Sequence, residues 1–134
     1  MIVSTTLLTI HCFFDFFAME EFKIRLMRTE EELESVTINW SVKEGWRPGL
    51  KDAECFLACD PSGAFVAELN GKPIACILMT KYGDNFAFAG SFIVSKDYRG
   101  KGYGRKILDA ALTSVMPSRS VGILSALQIG RAHV

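Results

Sequence analysis

The chain has 134 residues, of which 49% are hydrophobic and 22% charged, and its 15 basic side chains balance its 15 acidic ones. This length supplies one core rather than two, and this composition excludes a disordered chain. Because the net charge is zero, any affinity for an anion must come from a local excess of basic residues.

The cysteines show no zinc-ligand spacing, and the two histidines, His11 and His133, lie at the ends of the chain. We therefore predict no metal site, and thiols that are free or buried in a reducing compartment, the cytoplasm. The four cysteines are Cys12, Cys55, Cys59 and Cys76.

Residues 1–18 are apolar and contain no Lys or Arg. A signal peptide needs a positively charged start, and a membrane span needs about 20 uninterrupted apolar residues. Neither pattern is present, so we predict no membrane segment here. We expect Met19 to be the true start and residues 1–18 to be an extension foreign to the domain.

The first predicted elements are a strand over residues 22–27, where apolar and charged residues alternate, and a helix. Thr29 and Glu32 have the spacing of a capping box, which predicts that the helix begins there. The helix should end near Lys43, before Gly45. Its predicted buried stripe consists of Leu33, Val36 and Trp40.

Residues 44–52 combine a tryptophan, a Pro-Gly turn and two carboxylates, which is more than a plain connector usually carries. A short helix to Ala58 should follow. From the residues alone, the simplest interpretation is that Trp46 packs on the core and that Asp52 caps or flanks this helix.

A hairpin is predicted from residues 64–69 and 74–80, which are apolar runs on either side of Asn70-Gly71. Because Lys72 and Pro73 lengthen the loop, we expect an irregular tip rather than a two-residue turn. Residues 82–85 then turn the chain into the next strand.

Residues 86–94 are rich in aromatic and β-branched residues, which predicts a buried central strand. Gly90 in its middle suggests a bulge that would free backbone groups for a ligand. After Gly104 the apolar period becomes helical, and the helix should stop at Pro117. Its apolar rows are Ile107, Ala111 and Val115, beside Leu108 and Leu112.

A glycine-rich basic turn, residues 99–104, joins this strand to this helix. Where a strand is followed by a glycine turn and the start of a helix, several free N–H groups face the same place as the positive end of the helix dipole. Residues 95–106 hold five basic residues and one acidic residue, a local net charge of +4. We therefore predict an anionic ligand at this turn.

Other glycine motifs fit this turn poorly. A P-loop would close with Gly-Lys-Ser/Thr, and a dinucleotide fingerprint would need glycine at position 105 or 107, which are Arg and Ile. Residues 101–104 match the opening of an RNA-recognition motif, but the following residues have helical period instead of the aromatic continuation.

The remaining pattern, Arg-x-x-Gly-x-Gly after an apolar strand and before an amphipathic helix, resembles the GNAT superfamily of N-acyltransferases. The resemblance implies acetyl-coenzyme A as co-substrate, with its pantetheine arm along Phe92, Ile93 and Val94. It also implies that the basic turn holds the pyrophosphate. The residues of that turn are Arg99, Gly100, Lys101, Gly102, Tyr103 and Gly104.

Residues 44–52 resemble a segment of a bacterial and nematode GNAT subgroup with a Glu-Gly-Trp, Pro-Gly-Leu and Asp pattern. By that likeness, Trp46 and Asp52 would face the acceptor.

The resemblance implies an α/β fold with a mixed sheet, in the order strand, two helices, three antiparallel strands, helix and the start of a fifth strand at residues 121–126. Residues 19–126 would be the N-terminal part of a GNAT domain. Residues 129–134 read as one frame of a sequencing adaptor, so we expect residues 127–134 to be an adaptor-derived tail and the later elements to be missing.

The implied reaction is acyl transfer from acyl-coenzyme A to a small-molecule or protein amine, with this truncated chain expected to be inactive. No catalytic residue is assigned, because residues 86–94 contain no base and four other candidates cannot be ranked: Glu54, Glu68, Tyr82 and Asp84. A coenzyme-binding module without turnover and an RNA- or anion-binding domain are the alternatives.

Overall fold

The computed structural model describes residues 19–123, which form a five-stranded mixed sheet with helices on both faces. The strands follow one another across the sheet in sequence order, and all neighbours are antiparallel except the last pair, which is parallel. This arrangement confirms the predicted α/β fold. The strands are β1 (Phe22–Leu26), β2 (Ala64–Leu69), β3 (Lys72–Tyr82), β4 (Phe86–Val94) and β5 (Ser120–Ile123).

The helices begin close to where the capping and periodicity signals predicted. Thr29 Oγ1 accepts a hydrogen bond of 3.1 Å from the N–H of Glu32, as expected for the N-cap of the first helix. The middle of this helix has a wider, π-helical turn that no sequence signal predicted. The helices are α1 (consecutive segments Glu30–Leu33, Glu34–Ile38 and Asn39–Lys43), α2 (Asp52–Cys59) and α3 (Tyr103–Thr113).

The core has two layers, one on each face of the sheet. Leu33 of α1 and Ala53 of α2 belong to the cluster on one face, whereas Ile107 of α3 belongs to the cluster on the other. Residues 74–80 of β3 are buried without a break because both layers cover this strand. The sheet therefore holds the end of α1 and the start of α3 against opposite faces of its centre.

The β2–β3 hairpin has a regular tip, so the prediction of an irregular one was wrong. Leu69 pairs with Lys72, which leaves Asn70 and Gly71 as a two-residue turn, both with positive φ (51° and 77°). Asparagine and glycine tolerate this conformation, and the turn matches the twist of the strands. The irregularity lies further in, where Pro73 opposes Glu68 beside a shift in register.

The bulge predicted in β4 is present and changes the course of the strand. Cys76 pairs with Ile93 but Leu78 pairs with Gly90, so β4 contains one extra residue between these pairs. Ser91 takes up the extra residue with a φ of 46°. Pairing with β5 covers only Phe86 to Ala89 within the described chain. The part of β4 after the bulge therefore has no described partner on that side.

The predictions for residues 1–18 and 127–134, and for the fifth strand beyond residue 123, lie outside the described residues. Within residues 19–123, no helix combines the length and the apolar composition that a membrane crossing requires.

Candidate functional site

The basic turn lies between the end of β4 and the start of α3, after a short 3₁₀ segment at Lys96–Tyr98. Gly100 and Gly102 have φ values of 73° and 88°, a region that side chains with a Cβ rarely adopt. Space beside both Cα atoms is open, with no heavy atom within 4 Å of where a Cβ would lie. Glycine is therefore needed at both positions for backbone conformation rather than for packing.

The amide groups of the turn are not used by the fold. The N–H groups of residues 100–105 donate no hydrogen bond to another described residue, and the first amide bonded back into the turn is that of Lys106, to the Gly102 carbonyl at 3.2 Å. Residues 99–102 are exposed. An exposed set of free N–H groups at the start of an 11-residue helix favours a bound anion.

Gly104 serves a different purpose from the other two glycines. It lies in the first turn of α3, where a Cβ would stand 3.1 Å from Val94 Cγ2 and 3.3 Å from Phe92 Cζ. The absence of a side chain lets α3 approach the end of β4 closely.

The Arg99 side chain joins the turn to the end of α1. Its Nε donates to the Val94 carbonyl at 2.8 Å, and its Nη2 lies 2.5 Å from Glu44 Oε1. The Glu44 side chain is 18% exposed, so this ion pair is partly shielded from water. The guanidinium therefore fixes the position of the turn relative to α1.

Two adjoining clefts lie between the end of α1 and the second half of β4, with volumes of about 410 and 260 Å³. Both are lined by Glu44 and Ile93. The larger cleft is also lined by Trp40, Lys43, Ser95 and Lys96. The smaller cleft is also lined by Trp46, Phe92, Val94 and Arg99.

The three strand residues that the sequence singled out lie together in the smaller cleft. Phe92 is 43% exposed, Val94 is half-buried and Ile93 is buried. They directly follow the bulge, in the part of β4 that has no described partner on the β5 side. The cleft therefore runs from the bulge to the basic turn.

The two residues that the resemblance singled out, Trp46 before α2 and Asp52 at its start, differ in their contacts. Trp46 packs against the core and also lines the smaller cleft. Asp52 is the first residue of α2, and its Oδ2 accepts a 2.8 Å hydrogen bond from the Gly49 N–H. The simplest interpretation of Asp52, that it flanks the short helix, fits this contact. Asp52 is not among the residues that line either cleft.

Sequence reasoning missed three of the cleft residues on α1 and its end: Trp40, Lys43 and Glu44. Residues three and four apart lie on one face of a helix, so their spacing could have placed them together. The apolar period instead predicts Trp40 in the buried stripe, and Trp40 does pack partly against the core.

The four unranked candidates for a base lie away from these clefts. Glu68 is bonded to Arg25 at 2.6 Å, and Glu54 to Lys51 at 3.1 Å. Tyr82 and Asp84 precede the first residue of β4, whereas the clefts lie along the second half of that strand. Glu44 is the carboxylate that the described structure places in the clefts.

Cys76 lies behind the bulge as a neutral thiol. Its Sγ donates to the Ser91 carbonyl at 3.5 Å, and burial raises the pKa of the thiol to about 12. A buried, protonated thiol is a poor nucleophile, so this residue belongs to the packing of the bulge. In the part of the chain that the structure describes, no three His, Cys, Asp or Glu residues are grouped to bind a metal.

The chain is similar to a known acyltransferase. The holothin acyltransferase of Pseudoalteromonas sp. (strain SANK 73390) is 36% identical over 84 residues, which are 63% of this chain and 28% of that protein. The matched part is thus less than a third of the length of that relative.

Two crystal structures share the fold. An acetyltransferase of the GNAT family from Staphylococcus aureus Mu50 has a TM-score of 0.67 at 15% identity, and the match covers 84% of this chain and 78% of that protein. A predicted acetyltransferase from Clostridium acetobutylicum, solved with acetyl-CoA, has a TM-score of 0.59 at 16% identity, and the match covers 81% of this chain and 83% of that protein.

The sequence also matches the family described as "Acetyltransferase (GNAT) family" over residues 25–129. This match includes both clefts and the basic turn and covers most of the chain, so the chain belongs to the GNAT acetyltransferase family.

Proposed function

We propose that this chain is an N-acyltransferase domain that binds acyl-coenzyme A at the basic turn and transfers the acyl group to an amine. The observation that carries the proposal is the set of free N–H groups at residues 100–105, of which residues 100–102 and Arg105 are exposed. A diphosphate needs several donors and a positive field in one place, and the turn offers both.

The residues of the turn fit a diphosphate in two ways. Gly100, Lys101, Gly102, Tyr103 and Gly104 would contribute backbone N–H groups, and the open space at Gly100 and Gly102 leaves room for phosphate oxygens. We propose that Arg99 acts mainly by positioning, because its guanidinium already binds Glu44 and the Val94 carbonyl.

The pantetheine arm fits the cleft beside β4. Phe92, Ile93 and Val94 line it, and the strand edge after the bulge has no described strand partner, so its backbone can pair with the amides of an extended ligand. We propose that Trp46, at the wall of the same cleft, faces the acceptor. Asp52 would support it indirectly by holding the turn before α2.

Acyl-coenzyme A would supply the thioester whose carbonyl the acceptor amine attacks. We propose that a backbone N–H at the β4 bulge stabilises the developing oxyanion, because the extra residue interrupts the ladder there. A small-molecule or protein amine is the proposed acceptor. The exposed free thiols of Cys55 and Cys59 fit the reducing conditions of the cytoplasm.

The proposal is tested by titrating the 134-residue chain with acetyl-coenzyme A and comparing two variants, Gly102→Glu and Gly102→Gln. Both variants place a side chain of the same size on a backbone with positive φ, so they share the conformational cost. Only the Glu variant brings a negative charge to the cradle. We expect it to bind at least roughly tenfold more weakly than the Gln variant.

Desulfo-coenzyme A and a short RNA are titrated in parallel. Binding to RNA but not to either coenzyme would overturn the proposal in favour of a nucleic-acid ligand. Binding to coenzyme without release of thiol over a panel of amines would leave a binding module without turnover. Equal affinity of the Glu and Gln variants would mean that the anion binds elsewhere.

A further inference from the structure

A cluster of aromatic and basic side chains lies beside the basic turn, on the α3 side of the sheet. The Phe22 and Tyr103 rings stack with centroids 5.3 Å apart, and Tyr98 meets Tyr103 edge-on at 6.3 Å. All three rings are half-buried against the core layer beneath α3. They come from β1, the 3₁₀ segment and the first turn of α3, so only the fold brings them together.

Three lysines surround these rings. Lys72 Nζ and Lys101 Nζ lie 5.6 and 5.7 Å from the centroid of Tyr98. Lys106 Nζ lies 5.0 Å from the centroid of Phe22. We call the three rings and three lysines the Tyr98 cluster.

The charge of the Tyr98 cluster is not neutralised by the described chain. Two other basic residues of this region have acidic partners, since Arg99 pairs with Glu44 and Arg105 with Asp109. The three lysines form no ion pair with a described carboxylate, including Glu21 and Asp97, the sequence neighbours of Phe22 and Tyr98. Two ammonium groups beside one ring repel each other, and a bound anion would remove that repulsion.

We infer that the Tyr98 cluster binds the ribose 3′-phosphate of coenzyme A, an inference that rests on the proposed function. Lys101 belongs to both the turn and the cluster, so the two sites adjoin. The pantetheine arm would follow β4 from the turn towards the bulge, and the nucleotide end must leave the diphosphate in another direction. A phosphate monoester carries close to two negative charges at neutral pH, which suits several lysines.

The test compares coenzyme A with 3′-dephospho-coenzyme A, which differ only in this phosphate. We expect the wild-type chain to bind coenzyme A roughly tenfold more tightly in titration calorimetry at low salt, and the preference to shrink at about 1 M salt. The double variant Lys72→Gln/Lys106→Gln should abolish the preference and leave the affinity for 3′-dephospho-coenzyme A unchanged. Both substituted residues lie outside the turn.

A matched control carries the same loss of charge elsewhere. Lys23 and Lys51 are exposed, and neither lies near the rings of the cluster in the described contacts. Lys23→Gln/Lys51→Gln should keep the preference, and thermal unfolding followed by circular dichroism tests whether both double variants are folded.

Equal wild-type affinity for the two nucleotides would overturn this inference while leaving the acyl-coenzyme A proposal intact. Equal loss of preference in the control would also overturn it, because the effect would then come from overall charge. If the wild type bound neither nucleotide, the acyl-coenzyme A proposal would fail and this inference with it. Tighter binding of a homopolymer RNA at the same lysines would assign the cluster to a nucleic acid instead.

Discussion

If Arg99 positions the turn through Glu44, the two side chains should be energetically coupled in a double-mutant cycle. The structure sets the size of the effect. Their atoms are 2.5 Å apart, but Arg99 is 44% exposed and Glu44 18% exposed, so solvent screens part of the attraction. A coupling free energy of about 1 kcal/mol, at the upper end for exposed pairs, follows. The bond from Arg99 Nε to the Val94 carbonyl adds about 1 kcal/mol.

We therefore expect Arg99→Gln to lower the free energy of unfolding by about 2 kcal/mol and Glu44→Gln by about 1 kcal/mol. The double variant should lose about 2 rather than 3 kcal/mol, because the pair can be broken only once. Urea unfolding followed by tryptophan fluorescence is a suitable assay, since Trp40 and Trp46 line the clefts beside Glu44.

The pair Arg105–Asp109 provides the control. It has the same charges, but it is local and its side chains are 79% and 53% exposed, so its coupling should be no more than about 0.5 kcal/mol. Coupling of Arg99 and Glu44 that is no larger than this, or that persists at about 1 M salt, would refute the reasoning. Affinity for acetyl-coenzyme A should fall in both single variants. Tighter binding by Glu44→Gln would instead mean that a released guanidinium contacts the phosphate.

Three further predictions concern stability and reactivity. Burial raises the pKa of Asp60, but hydrogen bonds from Lys81 and Ser62 outweigh it and hold the pKa below its ordinary value. Its stabilisation is thus complete above about pH 4 and lost as the pH falls through the lowered pKa. Asp60→Asn should lower the free energy of unfolding, measured with urea at neutral pH, by about 2–3 kcal/mol. It should also reduce the loss of stability at acid pH, and an unchanged loss would contradict this. Thr29→Ala should lower the unfolding free energy by about 1 kcal/mol through loss of the N-cap, and a loss below about 0.3 kcal/mol would show that Glu32 alone caps the helix. A thiol reagent at pH 8 should label exposed Cys55 in the native chain but Cys76 only after unfolding, as peptide mapping would show; native labelling of Cys76 would mean that the bulge opens.

The sequence by itself determined the local elements of this protein and the character of its turn. An apolar run before Asn70-Gly71 predicted β2, and a stretch of aromatic and β-branched residues predicted β4, both at the observed bounds, while Thr29 marked the start of α1. These signals work because strand propensity, capping and positive φ depend on residues close together in the chain. The glycines and the local net charge of the turn likewise predict an anionic ligand.

Only the tertiary structure decided which residues form the clefts and what several of them do. Glu44 and Arg99 are 55 positions apart in the chain, and the sheet brings them within hydrogen-bonding distance. The same holds for Gly104, whose missing side chain matters because Val94 and Phe92 of β4 pack against it. Contacts across two faces of a sheet depend on strand register and helix placement, which no short sequence pattern encodes. The turn could thus be predicted from its own residues, whereas the cleft beside it depends on where β4 and α1 meet.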